Sequence, residues 1–185
     1  MNKKKPGEHF FNTVTPIKLT EARRVKLHSE GWGILTDYYL DSVKVTNAKG
    51  RITSAATLRI SDRSGQVTCV VRGQTVGLLF GLNLEEWQVV ENMCNRGDQL
   101  FYRYFKNGVN RNFSIEHKVF YNLCMTSQTN DPLIARYRRS VNTRNKYKSD
   151  AFLDILELRH CDNNLLDLYV DQVSNSTLKQ IRIME

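Results

Sequence analysis

The sequence predicts a mainly β protein: a five-stranded barrel with one helix between its third and fourth strands, followed by a charged C-terminal extension. Three observations carry this. Thr53 to Ser61 and Gln66 to Arg72 alternate apolar and polar residues with the period of half-buried strands. Asp62-Arg63-Ser64-Gly65 stands between them as a tight polar turn. Val76 to Val90 then repeats apolar residues at near-helical spacing.

Residues 1–30 form a basic lead-in, with seven Lys/Arg against three Glu. Leu19 to Leu27 has the spacing of a short helix but is too polar to be stable alone. Residues 31–130 hold the barrel. Aromatic and β-branched residues dominate Trp32 to Val45, which reads as a long first strand bent near Asp37. Asn47-Ala48-Lys49-Gly50 is a turn. In the second strand Ala56, Leu58 and Ile60 point one way and Thr57, Arg59 and Ser61 the other; in the third, Val67, Cys69 and Val71 alternate with Thr68, Val70 and Arg72. Asp62 can accept hydrogen bonds from amides ahead of it, and Gly65 can take a positive φ.

In the helical run Gly77 and Gly81 interrupt the repeat, so a short helix should break near Gly81-Leu82-Asn83 and restart with Asn83 as cap. Leu100 to Phe105 reads as the fourth strand and Phe113 to Tyr121 as the fifth. Residues 131–185 form the extension. Residues 133–148 contain six Lys/Arg and no acid, and Asp131-Pro132 could open a helix there. Residues 150–171 contain six acids against one Arg; the second half fits a helix face and the first half either helix or strand. Five strands with a helix between the third and fourth is the order of the oligonucleotide/oligosaccharide-binding (OB) barrel.

One stretch carries a family likeness. Leu58, Ile60 and Ser61-Asp62-Arg63-Ser64-Gly65 continue through Val67 and Cys69 to Gly73. Val76-Gly77-Leu78-Leu79-Phe80-Gly81, Leu84-Glu85-Glu86-Trp87 and Gly97-Asp98-Gln99-Leu100-Phe101-Tyr102 follow. This pattern, over roughly residues 33–122, resembles the OB folds of replication protein A and its relatives. It is most similar to the large subunit's third OB fold and the related meiotic OB protein, with terminin-type telomere-capping proteins as further candidates. The resemblance implies single-stranded DNA as ligand, other OB-fold proteins as partner subunits, and a nuclear, chromosome-associated setting in replication, recombination or telomere protection. That third OB fold carries a zinc ribbon, whose cysteine pairs are missing here, so no metal role is carried over.

OB barrels hold single strands across strands two and three, between the loops after strands one and four. Lys49 and Arg51 fall at the first loop, Lys106 and Arg111 at the second, Arg59 and Arg72 on the outward face and Arg63 at the hairpin tip. The aromatics Tyr38, Tyr39, Phe101, Phe105, Phe113 and Phe120 include some that alternation sends outward, without a close exposed pair. The block around Arg136, Arg138 and Arg139, continuing to Arg144, Lys146 and Lys148, is the strongest electrostatic feature. It could track phosphates, pair with the acidic block after it, or meet another protein. Leu165, Leu168, Tyr169 and Val173 make an amphipathic face suited to a partner subunit.

A net charge of +8 on 185 residues favours a polyanionic partner. Cys69, Cys94, Cys124 and Cys161 include no close pair, so neither a zinc knuckle nor another metal or cofactor is expected. No segment has the ~20 apolar residues that span a membrane, and no secretory signal follows the N-terminal lysines. No phosphate-binding glycine loop, His-Glu-x-x-His or nucleophile elbow is present. The reading is therefore a non-enzymatic protein with no small-molecule substrate. Two alternatives stand beside DNA binding: an assembly subunit with little DNA contact, and an RNA-binding OB module.

Overall fold

Seven strands form among the described residues. The structure, a computed structural model, describes residues 8–104, 114–129, 131–141 and 151–184. Its strands are β1 (Glu30–Leu35), β2 (Tyr38–Ala48), β3 (Arg51–Asp62), β4 (Gly65–Arg72), β5 (Gln99–Arg103), β6 (Leu133–Ser140) and β7 (Ala151–His160). The helices are α1 (Glu8–Thr13), α2 (Leu84–Asn92), α3 (Ile115–Thr126) and α4 (Asn163–Met184), with 3-10 turns over Leu19–Arg24 and Gly73–Phe80. Hydrogen bonds join the strands in the open order β1-β6-β7-β4-β3-β2-β5. The sheet is mixed: β4 and β7 run parallel, and the other pairs are antiparallel.

The expectation of five strands closing a barrel is corrected to these seven in one open order. The long first strand is two strands separated by Thr36 and Asp37, with Asp37 at the bend in the left-handed region (φ 49°). The fourth expected strand is β5, and among the described residues it pairs only with β2. The fifth, Phe113 to Tyr121, is replaced by α3: the Ser114 hydroxyl accepts from the His117 amide, and His117, Phe120 and Cys124 are buried at helical spacing. The helix expected in the basic block is β6, and the first half of the acidic block is β7. Both lie inside the sheet, so among the described residues the extension from 131 is helical only in α4.

The β3–β4 hairpin turns where its residues demand. Asp62 Oδ1 accepts from the Ser64 amide at 2.7 Å and the Ser64 hydroxyl at 2.6 Å. Gly65 has φ 146°, and a Cβ there would collide with the Arg23 guanidinium, which donates to the Ser64 carbonyl. Thr20 also donates to Asp62 Oδ2, at 2.6 Å. The lead-in therefore buttresses the hairpin.

After β4 the 3-10 turn ends at Gly81 (φ 69°), and Asn83 and Glu86 form a reciprocal capping box that starts α2. A Cβ on Gly77 would come within 2.5 Å of the Trp87 side chain, so glycine there lets the two helical pieces pack. Trp87 is fully buried, stacks on Phe80 at 5.7 Å, and shares the buried Glu91 carboxylate with Ser54.

One apolar core collects inward residues from β1 through β7: Leu35, Val43, Leu58, Cys69, Leu100, Tyr137 and Leu153 are among them. A second, smaller core lies on the opposite side of β1 and β6. There Phe11, Trp32, Ile34, Ile134 and Leu165 are buried, with Phe10, Leu168 and Tyr169 packed around them. Trp32 is fully buried, meets Phe11 edge-on, and donates to the Val14 carbonyl at 2.6 Å.

Candidate nucleic-acid interface

The outward side of β2, β3 and β5 is where the chain leaves aromatic and cationic side chains uncovered. Pairing sets the layout: Tyr39 lies opposite Arg59, which lies opposite Thr68. One register step away, Ser42 sits between Arg103 and Thr57, and Lys44 between Phe101 and Ala55. Lys44 and Arg103 are exposed.

A bulge in β2 displaces Asp41 from the ladder between Leu40 and Ser42. Bulges re-aim side chains. Here Asp41 receives the Arg59 guanidinium: Nε donates to Oδ2 at 3.2 Å, and Nη2 to Oδ1 at 3.1 Å and Oδ2 at 3.0 Å. The Asp41 carbonyl accepts from the Tyr104 amide at 3.1 Å, which ties the end of β5 to the bulge. Tyr39, Asp41, Arg59, Ser61, Gln66 and Tyr104 then line a groove of about 380 Å³. Tyr39 is 62% exposed and Tyr104 56%. Tyrosine rings ordinarily contribute by burial, so two exposed rings on one groove suit a planar ligand.

The other candidate cations divide sharply. Lys49, in the β2–β3 turn with φ 55°, and Arg51, the first residue of β3, are exposed at one end of this face; Arg63 is exposed at the hairpin tip at the other. Arg72 is exposed but paired with Asp154. Arg136 and Arg138 both bind Glu30, at 2.8 and 2.9 Å, and Arg136 also lies 4.4 Å over the Phe10 ring. Hydrogen bonds from these two arginines, helped by their charge against a burial penalty, hold the Glu30 carboxyl below its ordinary value. Arg139 donates to the Val25 carbonyl. Three arginines of the basic block thus bind within the chain, to Glu30 and a backbone carbonyl rather than to the acidic block. Lys106, Arg111, Arg144, Lys146 and Lys148 lie outside the described residues.

The expected protein-interaction residues are also inward. Leu165, Leu168 and Tyr169 belong to the second core, and Val173 lies half-buried one turn further along α4. α3 does expose apolar residues: Ile115, Val119 and Met125.

Elsewhere, a polar cleft of about 230 Å³ lies between the lead-in, the hairpin and Tyr169. Burial pushes the Asp62 carboxyl there up, but hydrogen bonds from Ser64 and Thr20 and from the Ser64 and Gly65 amides outweigh it and leave it at about 2. Burial pushes the Cys69 thiol up to about 12. Among the described residues no three His, Cys, Asp or Glu side chains converge as a metal site, and no helix is long and apolar enough to cross a membrane.

Sequence reasoning missed Asp41, Gln66 and the placing of Tyr104. Alternation put Tyr104 with Leu100 and Tyr102, but β5 ends at Arg103 and Tyr104 turns outward. No protein-family model matches this chain, and no curated protein matches it.

Proposed function

We propose that the protein is a non-enzymatic OB-type module that binds single-stranded DNA on the outward side of β2, β3 and β5. The observation that carries this is the groove lined by exposed Tyr39 and Tyr104 together with Arg59, on a face that also bears Lys44, Arg103, Lys49 and Arg51. Stacking rings beside spaced cations hold a flexible polyanion with little sequence reading.

Topology supports the OB reading. β1 ends the pairing order on one side, β2 is next to last on the other, and Thr36-Asp37 alone separates them along the chain. Read as one bent strand, β1–β2 makes the order β1-β6-β7-β4-β3-β2 return to its own start. The parallel β4–β7 pair is the one parallel contact of such a barrel, and β5 is an addition to its edge.

The setting is a nuclear, chromosome-associated complex that maintains DNA, with other OB-fold proteins as subunits, as the family likeness suggests. Fluorescence-anisotropy titration of short single strands tests the binding. Affinity should be measurable at ~50 mM salt and fall linearly with log salt. Absence of binding at that salt overturns the reading. Tighter binding of matched RNA would move the assignment to an RNA module, because the 2′-hydroxyl is the distinguishing group.

The exposed Ile115, Val119 and Met125 favour a second role as an assembly subunit. Truncation at 130 would remove β6 and β7 from the sheet, so substitution is the cleaner probe. Val119→Glu should release partner subunits from the purified native complex while single-strand binding persists; retention of every subunit counts against this role.

A further inference from the structure

Ser61 lines both the stacking groove and the polar cleft between the lead-in, the hairpin and Tyr169, so the two hollows adjoin across the end of β3. We propose that the cleft takes the 3′-terminal sugar of a single strand lying in the groove, with its free hydroxyl held between Asp37 and Tyr169. This rests on the single-strand reading above and adds a preference for strand ends.

Four parts of the chain build the cleft: the lead-in at Lys18, the β1–β2 bend at Asp37, the end of β3 at Ser61 and Asp62, and Tyr169 of α4. The second core holds Tyr169 in place, its ring 6.4 Å from that of Trp32. Among the described residues its hydroxyl takes part in no hydrogen bond. Burial, with the nearby charges of Glu21 and Asp62, raises its pKa, so the phenol stays protonated and can donate. Asp37, exposed at its left-handed bend, also has no hydrogen bond or ion pair among the described residues. An ionised carboxylate only accepts. Asp62 acts through its charge alone, since Ser64 and Thr20 already engage both its oxygens.

One free donor and one free acceptor suit a group that donates and accepts, and at a strand end that group is a sugar hydroxyl. A terminal phosphate only accepts, and its negative charge would face Asp37 and Asp62. A continuing strand is disfavoured for the same reason, because each further nucleotide brings a phosphate. Lys18 is the one cation among the lining residues, enough for the phosphate that precedes the terminal sugar. Buried Leu19 and Ile60 give the sugar an apolar floor. Natural strands carry their free hydroxyl at the 3′ end and commonly a phosphate at the 5′ end, so the end that fits is the 3′ end.

The test uses the full chain and oligothymidylates of ~12 nucleotides, within the span of one OB fold. All carry a 5′-phosphate, and the 3′ end is a hydroxyl, a phosphate or a 3′-deoxy sugar. The hydroxyl strand should bind about 10-fold tighter than the phosphate strand, the worth of one hydrogen bond to a charged group. The 3′-deoxy strand should fall between them. Asp37→Asn tolerates the left-handed backbone and removes the charge, so it should bring the hydroxyl and phosphate strands within about two-fold of each other. Tyr169→Phe keeps the ring in the second core; it should weaken the hydroxyl strand and leave the 3′-deoxy strand unchanged. Equal affinities for the three strands on the unaltered chain overturn end recognition while leaving single-strand binding intact. So does a strand with a 5′-hydroxyl and a 3′-phosphate that binds as tightly as the 3′-hydroxyl strand. Failure of every strand to bind overturns the single-strand reading and end recognition with it.

Discussion

Two regions of one sheet carry the same kinds of residue to opposite ends. On the outward side of β1 and β6, Trp32, Ile34, Ile134 and Arg136 are covered by α1 and α4, and Arg136 and Arg138 share Glu30. On the outward side of β2, β3 and β5, Tyr39 and Tyr104 stay exposed, and among the cations Arg59 has a bulge carboxylate beside it. The described arginines of the denser cluster, Arg136, Arg138 and Arg139, are therefore the ones already engaged within the chain. Charge density along the chain reports where arginines are, whereas pairing and helix cover decide which of them face a ligand.

The largest test of this contrast is mechanical. Trp32→Ala should remove about 3–5 kcal/mol of folding stability, since it empties the centre of the second core. Tyr39→Ala should change stability by under about 0.5 kcal/mol. Urea denaturation of both variants measures the difference, and comparable losses would erase the distinction between a covered and an open face.

The converse test is binding. Tyr39→Ala should weaken single-strand affinity by about 1–3 kcal/mol, the usual worth of one stacked base. Lys44→Gln should lower the slope of log affinity against log salt by about 0.7, the share of one phosphate contact. Arg138→Gln should leave that slope unchanged because its guanidinium is engaged with Glu30. If Arg138 moves the slope and Lys44 does not, the ligand lies on the other face.

Legibility in the sequence followed the range of the interactions. The hairpin at Asp62 and the restart of helix at Asn83 were readable because their hydrogen bonds span two or three residues. The basic block was misread because β6 is buried on both sides at its start: Leu133 and Ala135 enter the main core, Ile134 the second. That removes the alternation by which a strand is recognised. α3 was misread because the helical evidence, the Ser114 cap and the His117, Phe120 and Cys124 spacing, runs past the end of the expected strand, while the aromatic residues inside it suit a strand as well. Of the groove, Tyr39 and Arg59 could be suspected as outward residues. Tyr104 joins them only through β5 pairing onto β2 and the hydrogen bond to Asp41, contacts that no local pattern encodes.

Smaller effects should separate two carboxylates, Glu30 on the covered side and Asp62 where the lead-in meets the hairpin. Glu30 lies below its ordinary 4.5 in the folded protein, so its contribution is complete above that value and fades as pH falls through the lower folded one. Because the pair is partly exposed, Glu30→Gln should cost about 1 kcal/mol or less at neutral pH. Asp62 works in a lower window. Its contribution is whole above its ordinary 3.8 and disappears as pH falls through about 2. Thr20→Val deletes one of the donors that keep it low, and should cost about 1 kcal/mol at neutral pH. The charge-assisted part of that deficit should shrink between those two pH values, since protonated Asp62 no longer attracts the Thr20 hydroxyl as an anion does. Acid titrations of stability on both variants give the order: the Glu30 deficit should begin to close at higher pH than the Thr20 deficit. The reverse order would mean that the lead-in, rather than the arginine pair, is the first contact to loosen on acidification.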